Sequence, residues 1–118
     1  MKIAFTTSGN DLSSLLDNRF GRAPLFLVYD LDNESYKLFD NLQSQNTVQG
    51  AGVQSAEAIA RLGVQALVSG NCGPKAFSVL SAAGIKIFTA ENLTIAEALA
   101  QYRTGKLPEL KSDDVEGH

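Results

Sequence analysis

The only cysteine of the chain, Cys72, lies in the segment SGNCGPK at residues 69–75, between two glycines and just ahead of a proline and a lysine. Three kinds of chemistry are open to such a segment. The thiol could act as a nucleophile, it could bind a metal, or the amides of the glycine-rich turn could bind an anion. These alternatives correspond to an enzyme, a metalloprotein with its own ligands, and a carrier.

A nucleophilic Cys72 needs a neighbouring base that converts the thiol into a thiolate. The only histidine is His118, the last residue of an acidic segment that we expect to be flexible. Iron–sulfur clusters and structural zinc take about four Cys or His ligands, which the sequence does not supply. A thiol-transfer enzyme and a non-metal scaffold remain as alternatives, and Cys72 could offer one thiolate to a thiophilic metal such as Cu(I).

Basic residues and glycine-rich turns together favour an anion site. Residues 19–22 read RFGR and carry two guanidinium groups with no acid between them. Residues 69–75 place two glycines and a lysine where a strand leads into a helix, and free amides there attract negative charge. Residues 49–52, QGAG, open another helix in the same way. The candidate binding residues are Arg19, Phe20, Gly21, Arg22, Gly50, Ala51, Gly52, Gly70, Asn71, Cys72, Gly73 and Lys75.

Composition excludes several other classes of protein. The net charge is −3, and the segment from residue 109 onward carries four acids against one base, which leaves the rest of the chain neutral. No broad basic face is available for nucleic acid. No apolar run reaches the roughly 20 residues of a membrane span, and the N-terminus lacks the apolar segment of a secretory signal. With one cysteine and no signal, we expect a cytoplasmic protein.

Strands alternate with helices over most of the chain. Strands are predicted at residues 2–5, 25–31, 36–40, 64–68 and 85–88, and helices at residues 50–63, at 74–84 and from Thr94, where Glu97 completes a capping box. This order predicts an α/β fold of ribonuclease H-like type, with a five-stranded mixed sheet flanked by helices. We expect one domain over residues 1–107 and a flexible acidic tail over 108–118.

Ligands of open α/β sheets bind beyond the carboxyl ends of the parallel strands. Three predicted loops meet that condition: residues 7–24, 69–75 and 89–93. The arginine-bearing segment and the glycine-rich turn fall on two of them, so we expect both to share one edge of the sheet. A P-loop is absent, and the first strand, KIAFTTS, lacks the acid with which ribonuclease H-type nucleases bind metal.

Several of these segments resemble one family in order along the chain. RFGRAPLFLVYD, the GAG that opens the first long helix, GVQALVSGNCGPKAFSVLSAAGIKIF and TIAEALAQYRTGKL are similar to the nitrogenase iron–molybdenum cofactor carrier family, which includes NifX, NafY and the C-terminal part of NifB. The resemblance covers residues 1 to about 107. It implies a binding protein, not an enzyme, that holds a metal–sulfide cluster and exchanges it with a protein donor or acceptor.

Within the family, the sequence is most similar to a single-domain type from sulfate-reducing anaerobes, which is associated with a non-covalent, anionic molybdenum–copper sulfide cluster. Many relatives have a histidine immediately before FGRA, where this chain has Arg19. Arginine cannot ligate a metal but can pair with the charge of a sulfide anion. The resemblance therefore implies that Arg19, Arg22 and Lys75 offset charge, that glycine amides donate to sulfides, and that Phe20 excludes water.

Overall fold

The computed structural model describes residues 1–41, 51–70 and 72–111. Five strands, three α-helices and one turn of 3-10 helix follow one another along these residues. In chain order they are β1 (Lys2–Thr7), the 3-10 turn (Phe20–Arg22), β2 (Leu25–Asp30), β3 (Ser35–Asp40), α1 (Ala51–Arg61), β4 (Ala66–Ser69), α2 (Pro74–Ala82), β5 (Lys86–Thr89) and α3 (Ile95–Arg103).

The five strands form one mixed sheet in the order β3-β2-β1-β4-β5. Strand β1 pairs antiparallel with β2 and parallel with β4, and β4 pairs parallel with β5. This confirms the predicted α/β fold, with parallel pairing of the first, fourth and fifth strands and an antiparallel hairpin at one side. The ribonuclease H-like label stays a prediction. Because β3 runs parallel to β1, four of the five strands end at the same edge of the sheet.

Each face of the sheet carries its own apolar cluster. On one face, Ile3 and Phe5 of β1 pack with Ile95 and Leu99 of α3. On the other face, residues of all the inner strands pack beneath α1 and α2; this cluster includes Ala4, Phe26, Leu67, Ala56, Ile59, Ala76 and Leu80. Alternate residues of a strand point to opposite faces, and a sheet covered on both sides must be apolar on both. The helices cover both faces of the sheet, so its two ends are formed by loops.

The helices end where the sequence predicts. Gly63, Gly84 and Gly105 adopt left-handed backbone angles of φ 73, 78 and 71 just past α1, α2 and α3. Helices commonly finish at such a residue, and glycine adopts this conformation without a steric cost. At the start of α3, the predicted capping box is present, with Thr94 accepting from the Glu97 amide and Glu97 accepting from the Thr94 amide.

The segment after α3 adds to the sheet beyond residue 107. The amide of Thr89 donates to the carbonyl of Pro108 at 3.1 Å, and the amide of Leu110 donates to the carbonyl of Ile87 at 2.7 Å. Residues 108–111 therefore lie along β5, although the sequence places them in the tail. Residues 112–118 lie outside the described residues, so the flexibility expected there stays a prediction. In the described ranges, no helix is long and apolar enough to cross a bilayer.

Candidate anion-binding site

The loops that follow β1, β4 and β5 meet at one edge of the sheet, as predicted. The segment after β1 crosses this edge, where the amide of Asp17 donates to the carbonyl of Thr6 at 2.8 Å. The amide of Leu16 donates to the carbonyl of Leu93 at 2.9 Å and thereby joins the loop after β5. The amide of Ala90 donates to the carbonyl of Ser69 at 3.2 Å, which links that loop to the end of β4.

The glycine-rich turn after β4 lies directly against the loop after β1. Gly70 is buried, and a Cβ atom at this position would overlap the Cα and Cβ atoms of Asn18. No side chain larger than hydrogen fits there unless the loop moves. Gly70 is therefore required by the close approach of two backbones, which holds the two loops together. At Gly73 a Cβ would meet nothing within 4 Å, so the outer part of the turn faces open space.

Arg19 is held by a carboxylate that the sequence analysis did not link to it. Its Nη2 atom lies 2.9 Å from Asp17 Oδ2, its Nε donates to Asp17 Oδ1 at 3.1 Å, and its backbone amide donates to the same Oδ1 at 2.9 Å. Burial alone would raise the pKa of Asp17, but the hydrogen bonds and the charge of Arg19 outweigh it and lower the pKa. Asp17 is therefore ionised at neutral pH and neutralises part of the charge of Arg19.

The first turn of α2 differs from that of α3 in how its amides are satisfied. Gly73 provides no side-chain hydrogen bond at the N-cap, Pro74 follows it, and no acid lies in the first turn. The capping box of α3, by contrast, supplies an acid and two hydrogen bonds to its own N-terminus. Unpaired amides and the helix dipole make an uncapped N-terminus attractive to an anion. Lys75, which is exposed in this turn, adds a positive charge beside those amides.

The start of α1 lies close to the start of α2. A Cβ at Gly52 would make an ordinary contact of 3.7 Å with the Cβ of Ala76, and no acid lies in the first turn of α1. Ala51 is the first residue of this helix. Two helix N-termini without acids therefore lie side by side at the same edge of the sheet. The candidate residues Gly50 and Asn71 lie outside the described residues.

The RFGR segment divides into core and surface. Phe20 is only 2% exposed, and its ring stacks on that of Phe26 with 6.5 Å between centroids. It anchors the 3-10 turn beneath α1, so its placement gives it a core role in place of a surface that shields a ligand. Gly21 is half-buried, and Arg22 is exposed, with its amide donating to the carbonyl of Arg19 at 3.0 Å. The turn thus projects basic side chains from a buried anchor.

Cys72 is half-buried and packs against the apolar cluster beneath α1 and α2. Its thiol points to the carbonyl of Gly73 at 3.8 Å, and burial raises its pKa to about 11. A thiol with so high a pKa is almost fully protonated at neutral pH and is a poor nucleophile. Among residues 1–41, 51–70 and 72–111, no group of three or more His, Cys, Asp or Glu side chains is placed to hold a metal ion.

Three residues that shape this edge were missed by the sequence analysis. Asp17 was not assigned a role from the sequence, although its position two residues before Arg19 was a signal for an ion pair. Asn18 gave no signal, because its contact with Gly70 joins segments far apart in sequence. Asn41, which donates to the carbonyl of Ala23 at 2.8 Å, gave none either.

An α/β fold that brings two neighbouring, acid-free helix starts and a basic turn to one edge of its sheet is suited to binding an anion. The chain belongs to the dinitrogenase iron-molybdenum cofactor family, which it matches over residues 1–105. This confirms the family resemblance of its motifs. The family match spans β1 to α3 and thus every element that positions the candidate site.

Three relatives are similar over nearly their whole length. The apo form of the orange protein from Desulfovibrio gigas superposes with a TM-score of 0.90 at 40% identity, covering 92% of both chains. This relative represents the single-domain type to which the sequence motifs were compared above. A NifB-type protein from Thermotoga, of the DUF35 family, gives a TM-score of 0.82 at 31% identity, covering 99% of this chain and 97% of that one. An uncharacterized protein from Methanocaldococcus jannaschii is 35% identical over 109 residues, 91% of this chain and 89% of its own length.

Proposed function

We propose that this protein is a carrier that binds an anionic molybdenum–sulfide cluster, with copper as its second metal, at the edge of the sheet where β1, β4 and β5 end. The guest is held without covalent bonds and passes between a protein donor and a protein acceptor. The family of the chain and its likeness to the orange protein support a cofactor carrier. The choice of molybdenum and copper rests on the sequence resemblance.

The pair of neighbouring helix starts is the single observation that carries this proposal. The first turn of α2 has no side-chain cap and no acid, and Ala76 of that turn faces Gly52 of α1. Amides that lack a protein partner are stabilised by an anion, and sulfides of a cluster can accept from several at once. Residues Ala51, Gly52, Gly73 and Lys75 provide this backbone surface, and Gly70 lies next to it. The sequence adds Gly50 and Asn71 as candidates, which lie outside the described residues.

Basic side chains add charge to the same edge. Lys75 and Arg22 are exposed, and Arg19 is exposed beside Asp17. Because Asp17 already neutralises part of Arg19, Lys75 contributes more to attraction of the guest than Arg19 does. Charge–charge attraction of this kind weakens as salt concentration rises. Cluster binding should therefore weaken with ionic strength, whereas binding through metal–ligand bonds should change little.

The test is a titration of metal-free protein with tetrathiomolybdate and Cu(I), without oxygen, followed by visible absorption and metal analysis. We expect a coloured species that stays with the protein through gel filtration. Substitution of Arg22→Gln and Lys75→Gln together should weaken binding by about tenfold or more, since each lost charge–anion contact is worth about 1 kcal/mol. Retention of wild-type affinity by this double variant would refute the charge model.

A charge-matched control separates local from global electrostatics. Lys2 and Lys37 lie on β1 and β3, away from the carboxyl ends of the strands. Substitution of both by Gln changes the net charge by the same amount as the Arg22→Gln and Lys75→Gln pair. The control should bind the cluster with wild-type affinity. Equal weakening in both variants would mean that net charge alone governs uptake, without a site.

An enzyme that uses Cys72 has less support. The burial that raises the pKa of its thiol to about 11 opposes formation of the thiolate that sulfur transfer requires. We therefore infer that the protein carries its cargo without catalysis and that the Cys72 side chain packs behind the turn. The single cysteine supports a cytoplasmic location, which we also propose. Cluster uptake by a Cys72→Ala variant with wild-type stoichiometry would support this reading, and loss of uptake would favour direct ligation by the thiol.

A further inference from the structure

Two buried polar side chains join the arginine-bearing turn to helix α1. Asn41, which follows β3, is 4% exposed, and Ser55 of α1 is fully buried. The side-chain amide of Asn41 donates to the carbonyl of Ala23 at 2.8 Å and to Ser55 Oγ at 3.0 Å. The hydroxyl of Ser55 lies 3.2 Å from Asn41 Oδ1 and donates to it. The backbone amide of Asn41 donates to the carbonyl of Pro24 at 2.8 Å, which completes the group.

The surroundings of this pair are apolar. Ala56 and Ile59 of α1 belong to the same cluster as Phe20 of the 3-10 turn and Phe26 of β2. A buried polar pair in such a place adds no apolar area, and two apolar side chains would fill the space as well. What a fully hydrogen-bonded pair adds is a single geometry, because its donors and acceptors are satisfied in one arrangement only.

That geometry connects the two parts of the proposed site. Ala23 directly follows Arg22, so the hydrogen bond from Asn41 to the Ala23 carbonyl fixes the position of the end of the basic turn. Ser55 lies one helical turn after Gly52, so the bond to its hydroxyl sets where α1 begins relative to that turn. Asn41 thus fixes the position of the basic turn relative to the first turn of α1.

We propose that Asn41 and Ser55 are positioning residues, which preorganise Arg22 and the start of α1 for a multiply charged anion. This inference rests on the proposed function, since it assigns the pair a part in binding that cargo. A preorganised site avoids the entropic cost of ordering a loop when the guest binds. A role in folding alone would leave affinity unchanged in any variant that still folds.

The experiment compares Asn41→Ala with Val64→Ala, titrated with tetrathiomolybdate and Cu(I) well below their unfolding temperatures. Val64 is 6% exposed in the same apolar cluster but precedes β4, at the opposite edge of the sheet. Asn41→Ala should weaken binding by about tenfold, whereas Val64→Ala should change it by no more than about twofold. Ser55→Ala, which retains the bond between Asn41 and Ala23, should fall between them and serves if Asn41→Ala does not fold.

Hydrogen exchange gives a second readout that a general loss of stability would not reproduce. The amide of Arg22 donates to the carbonyl of Arg19, and this bond should lose protection in Asn41→Ala more than the amides of β1 do. If wild-type protein binds the probe and a folded Asn41→Ala variant binds it equally well, the positioning role is wrong. If wild-type protein does not bind the probe at all, the proposed function itself fails.

Discussion

The buried carboxylate of Asp17 and the exposed guanidinium of Arg19 form a two-point ion pair, with side-chain exposures of 5% and 62%. The acid is fixed, because Thr6 Oγ1 donates to the Asp17 carbonyl at 2.6 Å and the Arg19 amide donates to its carboxylate. The fixed carboxylate of Asp17 therefore orients the guanidinium group of Arg19. Arg19 therefore stabilises the loop through Asp17, and the exposed side of its guanidinium group remains accessible to a ligand.

The ion pair should contribute to stability in a pH-dependent way. Arg19→Gln leaves a buried carboxylate without its partner, so this variant should be less stable at neutral pH than the double variant Asp17→Asn, Arg19→Gln. Because the folded state lowers the pKa of Asp17, the stabilisation is present above the unfolded pKa and is lost as pH falls through the folded value.

Urea unfolding curves of both variants at about pH 7 and about pH 3 test this prediction, since the carboxyl of an unfolded Asp titrates near pH 3.9. The difference in midpoint between the single and double variants should narrow at the lower pH. If the difference in midpoint is the same at both pH values, the charge of Asp17 does not cause it.

Release of Arg19 from its partner should strengthen anion binding. Asp17→Asn removes a negative charge beside the site and frees the guanidinium, so affinity for tetrathiomolybdate should rise by about threefold or more. Asp30→Asn is a matched control, because Asp30 ends β2 at the far edge of the sheet and its pKa is also lowered, chiefly by backbone hydrogen bonds. If both variants gain affinity equally, the effect belongs to net charge and not to Arg19.

Substitution by alanine should have opposite effects on stability at Gly70 and at Gly52. Gly70→Ala forces a methyl group into Asn18 and should cost about 1–3 kcal/mol of unfolding free energy, the usual cost of overpacking. Gly52→Ala makes an ordinary contact with Ala76 and should be neutral or stabilising by up to about 1 kcal/mol, since alanine favours helix. Thermal denaturation of both variants tests this, and equal destabilisation would mean that the close approach at Gly70 is absent.

The thiol of Cys72 should react slowly. With its pKa raised to about 11 by burial, the thiolate population at neutral pH is far below that of an exposed cysteine. Alkylation by iodoacetamide at about pH 7.5 should therefore be at least about tenfold slower than that of glutathione, and it should accelerate as pH rises. Fast alkylation at neutral pH would revive the alternative of a catalytic cysteine.

Local signals made most of the fold predictable. The capping box of Thr94 and Glu97 and the glycines after each helix are encoded by neighbouring residues, and the structure has them as predicted. The parallel pairing of the first, fourth and fifth strands followed from the alternation of strands and helices and from right-handed crossovers. The gathering of three loops at one edge also followed, because parallel strands end together.

The rest of the site depends on contacts that no short window contains. Gly70 contacts Asn18 from a different loop, and Asn41 forms a hydrogen bond with Ser55, which lies 14 residues further along the chain. The sequence predicts that Phe20 excludes water from a bound guest, but the turn places it in the core, where it is 2% exposed. Side-chain direction in an irregular segment is set by what packs on it, and that information is tertiary.

The pairing of residues 108–111 with β5 bears on how the acidic tail should be studied. These residues cover a strand whose backbone would otherwise be open to association with another chain. A truncation at residue 107 would uncover that strand, and precipitation of the shortened protein could then be misread as loss of a tail-dependent partner. A deletion meant to test the tail should retain Lys111.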